Sequence, residues 1–138
     1  MQKFLIVDGY NMIFGWEDLK KLAKENLEFA RDKLVEMLAD YQGYTSEQII
    51  IVFDAYNVKG NHGQVIPYNK NVDIIYTKEK ETADQYIEKT AKAIGKKYIV
   101  RVATSDVVEQ VIILSSGATR VSCDKMFEEI KSMGKNFD

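Results

Sequence analysis

Short apolar runs alternate along this chain with stretches of helical periodicity. Phe4-Leu5-Ile6-Val7 is wholly apolar and gives way to Asp8-Gly9-Tyr10-Asn11, a strand running into turn chemistry. Leu27, Ala30, Leu34, Met37, Leu38 and Tyr41 then recur at the three- and four-residue spacings of one helix face, with Asn26 as a cap and Gly43 as a stop. Ile49-Ile50-Ile51-Val52-Phe53 has no polar position, which predicts a strand covered on both faces. Residues 55–71 are polar and contain Gly60, Gly63 and Pro67, so they predict a long loop or a loose hairpin. Loops of that length inside compact domains are often functional.

Residues 72–77 predict another strand. Thr82, with Gln85 three residues on, has capping-box spacing for a helix that Gly95 ends. Tyr98-Ile99-Val100-Arg101-Val102-Ala103 predicts a fourth strand, running into Thr104-Ser105-Asp106 and a helix with Val107, Val108, Val111, Ile112 and Leu114. Gly117 closes that helix. Residues 119–122 predict a fifth strand and residues 124–132 a last amphipathic helix. Strand–helix alternation with strands this apolar predicts an α/β fold, a three-layer α/β/α sandwich around a mostly parallel sheet of about five strands.

Composition narrows the chemistry. The 138 residues, 46% hydrophobic and 29% charged, predict one domain over residues 1–138 with a sizeable core. One Cys excludes an internal disulfide and a multi-thiolate zinc site, and one His excludes a two-imidazole mechanism. No apolar run is long enough to span a bilayer, and Met1-Gln2-Lys3 leads straight into a strand without signal-peptide design, so the expected location is cytoplasmic with no membrane partner. A net charge of -2 gives no global pull towards nucleic acid, so any such contact must be local. The oligomeric state stays open, a homo-oligomer included.

In parallel sheets the site forms beyond the carboxyl ends of the strands, near the switch in strand order. Asp8 ends the first strand, Asp54 the second, and Asp106 follows the fourth, while Glu81 and Asp84 flank a helix start. Five acids are thus expected at one edge. Singly, they have structural explanations: Asp54 can simply end a strand and start a turn, and Glu81, Asp84 and Asp106 stand where a helix N-terminus favours acids. Together, carboxylates that repel one another call for a cation, and hard oxygen ligands suit Mg²⁺ or Mn²⁺. Neither a Walker A sequence nor G-x-G-x-x-G is present. His62 reads as a solvated loop residue, Cys123 as a buried or helix-starting thiol, and Trp16 as a core or rim aromatic. Residues 56–80 carry Lys59, Lys70, Lys78 and Lys80 against Asp73 and Glu79. A lysine-bearing loop beside acids suits a phosphodiester backbone.

The segments Phe4-Leu5-Ile6-Val7-Asp8-Gly9-Tyr10-Asn11, Val52-Phe53-Asp54-Ala55, Glu81-Thr82-Ala83-Asp84 and Ala103-Thr104-Ser105-Asp106 resemble the NYN domain, a branch of the PIN-like nucleases, and within it the bacterial YacP group. The match runs in order over nearly the whole chain. The resemblance implies a PIN-like α/β/α fold and a metal-dependent endoribonuclease acting on mRNA in association with the ribosome. It assigns Asp8, Asp84 and Asp106 as catalytic metal-holding acids and Asn11 as the polar residue after the first strand, with Asp54 and Glu81 as further motif acids. It also implies a basic C-terminal stretch, whereas this chain ends at Asp138 with only Lys131 and Lys135 near its end. A shortened chain and a naturally small protein would each account for that.

Two other functions fit parts of the pattern. A haloacid-dehalogenase-type phosphatase also places an Asp after strand one, but it needs a second Asp two residues later, where Tyr10 stands. A non-catalytic RNA- or ribosome-binding module would keep the fold without the chemistry, and the joint presence of Asp8, Asp84 and Asp106 argues against it.

Overall fold

The computed structural model describes residues 2–106 and 113–135. In chain order its elements are β1 (Lys3–Asp8), α1 (Gly9–Gly15), α2 (Glu17–Glu25), α3 (Leu27–Gln42), β2 (Glu47–Phe53), β3 (Gln64–Asn69), β4 (Val72–Tyr76), α4 (Ala83–Ile94), β5 (Ile99–Ala103), β6 (Thr119–Val121) and α5 (Cys123–Lys135). Among the described residues the strands form one sheet in the order β3-β4-β2-β1-β5-β6. Every neighbouring pair is parallel except β3 with β4.

Strand alternation explains the three layers. Leu5 and Val7 of β1 are fully buried on one face, in a core with Ile49, Ile51 and Phe53 of β2 under α1, α2, α3 and α5. Ile6, also fully buried, faces the other way into a core with Val52, Ile75, Val102 and Ile87 under α4. A strand apolar on both faces is stable only where helices cover both. Helices of both layers are capped by their own sequence. Asn26 Oδ1 accepts from Phe29 N at 3.1 Å, and Thr82 and Gln85 form the reciprocal capping box, with Thr82 Oγ1 accepting from Gln85 N at 3.1 Å and Gln85 Oε1 from Thr82 N at 2.9 Å.

Several sequence expectations change. The turn after β1 is the helix α1, because Asp8 caps it and turns the following residues into a first helical turn. Helix α2 was not predicted, and it buries only Leu19. Leu27 leaves the α3 face and is 37% exposed, whereas Val35 joins the buried side. Residues 55–71 are a hairpin arm in their second half. All six β3 residues are exposed, and Pro67 is tolerated there because the strand lies at the sheet edge, with a register shift beside it. The sheet therefore has six strands where about five were expected. Val107, Val108, Val111 and Ile112 lie outside the described residues, and Leu114 is exposed. Among the described residues no helix is long and apolar enough to cross a membrane.

Candidate active site

The chain moves from β1 outwards through β2 to β4, then returns to the other side of β1 for β5 and β6. The order reverses between β1 and β5, so the crevice beyond their carboxyl ends is the expected ligand position. Asp8 stands there. It is the last residue of β1, 4% exposed, and its Oδ1 accepts from Asn11 N at 3.2 Å as the cap of α1. Burial pushes its carboxyl up to about 6. The Asn11 amide opposes the rise, and the charges of Asp84, Asp54 and Asp106 add to it.

Gly9 has a structural reason to follow Asp8. A Cβ there would lie 2.6 Å from Phe53 Cδ1, and closer still to Cε1, so only glycine lets α1 start over this ring.

Asn11 ties the other half of the crevice together. Its Oδ1 accepts from Ser105 N at 2.9 Å, from Ser105 Oγ, and from Thr104 Oγ1 at 3.2 Å. Thr104 is fully buried, and its Oγ1 in turn accepts from Asp106 N at 3.1 Å. The β5 end is thereby clamped to α1, and Asp106 is held in place through a threonine. Sequence reasoning missed Thr104. Its signal is the hydroxyl two residues before an acid, the spacing of a local side chain-to-backbone turn.

The other acids divide. Asp54 uses both oxygens on backbone amides: Oδ1 accepts from Tyr56 N at 2.9 Å and Oδ2 from Ala83 N at 3.1 Å. The first bond is the turn expected of it, the second anchors the start of α4 to the end of β2, and its charge still reaches Asp8. Asp84 sits in the first turn of α4. Glu81 accepts from Lys89 Nζ at 2.9 Å and lines a groove with His62, Lys78 and Tyr86.

The four lysines do not act as one loop. Lys59 and Lys80 share a shallow groove with Tyr56 and Glu79, and Lys78 lines the neighbouring one. Lys80 has a left-handed backbone (φ 67°), with its amide donating to Tyr56 O at 2.9 Å. Lys70, however, lies in the β3–β4 turn beside Asn71, whose carbonyl accepts from Ile49 N near the start of β2. That is the amino end of the parallel strands, opposite the acids, so Lys70 does not join the site. His62 is exposed. Trp16 is half-buried and packs on Phe127 with ring centroids 4.1 Å apart, in keeping with a core or rim aromatic. Cys123 is both buried and first in α5, and burial together with the nearby Asp8 charge pushes its thiol up to about 11.

The residues fit a divalent ion in kind: Asp8 is a buried carboxylate with Asp84, Asp54 and Asp106 as its charged neighbours, and like charges around a buried acid are what a hard cation relieves. As the side chains stand, no three His, Cys, Asp or Glu among the described residues lie close enough together to hold one.

The model of the YacP-like NYN domain matches residues 5–138. The chain belongs to that family. It is 43% identical over 135 residues to the protein YacP of Bacillus subtilis strain 168, spanning 97% of this chain and 78% of the relative. The crystal structure of Rae1 (YacP) from Bacillus subtilis superposes with a TM-score of 0.80 at 43% identity, covering 96% of this chain and 76% of that one. A single-residue mutant of the same protein gives 0.80 at 41%. The YacP-like NYN domain is of nuclease type, and the mostly parallel, PIN-like sheet expected from the sequence is the fold found.

Proposed function

We propose that this YacP-like NYN domain is a metal-dependent endoribonuclease, with Asp8, Asp84 and Asp106 as the acids that hold Mg²⁺ or Mn²⁺. One observation carries the reading: a buried carboxylate at the strand-order switch has three other acids as its charged neighbours. When bound, the ion supplies an acidified water and neutralises charge on the scissile phosphate. The protein's own part is positioning. Asp8 offers its carboxylate from the end of the central strand, and Asn11 with Thr104 fixes the loop that carries Asp106. Asp54 fixes the start of the helix that carries Asp84. Lys59, Lys78 and Lys80, at the same end of the sheet, suit phosphates of the bound strand. Messenger RNA engaged on the ribosome, in the cytoplasm, is the substrate and setting that the family resemblance suggests.

A non-catalytic RNA-binding module is favoured by a single observation, the absence among the described residues of three acids closed on one point. A single-stranded RNA incubated with Mn²⁺, Mg²⁺ or EDTA separates the two. The nuclease gives chain scission with metal only, leaving 5′-phosphate and 3′-hydroxyl ends. Binding without scission under all three conditions selects the module, and scission that survives EDTA removes the metal from the mechanism.

A further inference from the structure

Two arginines are tied into the α3 side of the sheet, and they are treated differently. Arg101 is consumed by carboxylates: Nη2 and Nε donate to Glu47 at 2.7 and 2.9 Å, and Nη1 to both oxygens of Glu129 at 3.0 and 3.1 Å. Arg31, on α3, donates from Nη1 to the Tyr10 phenol at 3.2 Å and stands within reach of the Tyr76 phenol. Among the described residues no carboxylate lies within ion-pair distance of it. Neutral phenols hold the guanidinium in place without using up its charge.

The same phenols belong to a row of rings along the carboxyl edge of the sheet. Phe14 and Tyr10 of α1 lie 6.3 Å apart, Tyr10 and Phe53 5.2 Å, and Phe53 and Tyr76 5.6 Å. Phe53 directly precedes Asp54, and Tyr10 comes two residues after Asp8, so this row borders the acids on the α3 side of the edge. Its outer member, Phe14, is 52% exposed although large and apolar.

We infer that Arg31, steadied by Tyr10 and Tyr76, and the exposed Phe14 ring form a second contact for single-stranded RNA, the guanidinium taking a phosphate and the ring a base. Alternating phosphate and base contacts are how single strands are held without sequence readout, and a planar guanidinium matches phosphate geometry. The strand would cross the sheet edge, with the lysines on one side of the acids and Arg31 on the other. The inference rests on the proposed nuclease reading for its substrate, but binding alone decides it.

The test is fluorescence anisotropy with a short single-stranded RNA in EDTA, over a salt series, with metal-dependent cleavage followed separately. Arg31→Gln, which still offers a donor to Tyr10, should weaken Kd about ten-fold, as loss of a charge-assisted bond does. It should also flatten the salt slope by roughly 0.7, and Arg31→Lys should restore that slope. Phe14→Ala should weaken Kd by about ten-fold with the slope unchanged, as loss of base stacking does. Because Phe14 is half exposed, this variant tests the surface even if Arg31→Gln folds poorly. Unchanged Kd and slope in both variants, or no binding by the wild type, overturns the inference. A wild type that binds RNA yet never cleaves it removes the nuclease reading and leaves this one to the binding data.

Discussion

Replacing Asp8 with asparagine should make the metal-free protein more stable at neutral pH. The carboxyl is 4% exposed, and its pKa rises from 3.8 to about 6 in the folded state. Below pH 3.8 both states carry the proton, so Asp8 has no effect on the balance. Between 3.8 and 6 the folded chain keeps a proton that the unfolded chain has lost, so stability falls as pH rises through this window. Above about 6 the full penalty stands, and a rise of about two units corresponds to up to ~3 kcal/mol. Asparagine keeps a side-chain oxygen to accept the Asn11 amide, so the cap of α1 survives the change. For a chain of this size the gain amounts to roughly 10 °C in melting temperature at most. Circular-dichroism melts in EDTA at pH 4 and pH 7.5 measure it. The two proteins should coincide at pH 4 and separate at pH 7.5 with the variant higher. A variant that melts at or below wild type at pH 7.5 would refute the placement of an unrelieved charge at Asp8. Adding Mn²⁺ should raise the wild type and leave the variant unmoved, and the variant should have lost RNA cleavage.

Three further outcomes follow from the packing. Gly9→Ala should lose about 1–3 kcal/mol in urea unfolding, because the added methyl meets a fully buried Phe53 ring that has no room to move. Arg101→Leu should lose about 3–5 kcal/mol in the same assay, since Glu47, 7% exposed, keeps its charge without a partner. Among the lysines, the triple change of Lys59, Lys78 and Lys80 to alanine should flatten the salt dependence of RNA affinity, by roughly 0.7 per lost contact. Lys70→Ala should leave it alone, and an equal effect from Lys70 would contradict its place at the far end of the sheet.

What was legible in the sequence is what neighbouring residues settle between themselves. The Thr82–Gln85 capping box, the Asn26 cap and the all-apolar β2 need only local chemistry and a periodic pattern, and all stand as expected. That Asp8 ends β1 was equally plain, while Asp54, expected to end the second strand, stands one residue beyond β2. Helix α1 was hidden because Gly9 and Asn11 are turn formers, and only the Asp8 cap and the seat over Phe53 make this segment helical. The edge strand β3 has no buried face, so no pattern could mark it before its pairing with β4 existed.

The site was decided at the tertiary level. Strand order set Asp8 against β5 and let Asn11 reach across 94 positions to clamp Ser105, a contact with no local signature. Chain direction in one hairpin carried Lys70 away from the acids, and Lys89, one turn further into α4 than Gln85, took Glu81. Residue types along a chain fix which chemistry is available. Which of those groups share a crevice depends on how strands are ordered when both faces of a sheet must be covered, and that is a property of the whole fold.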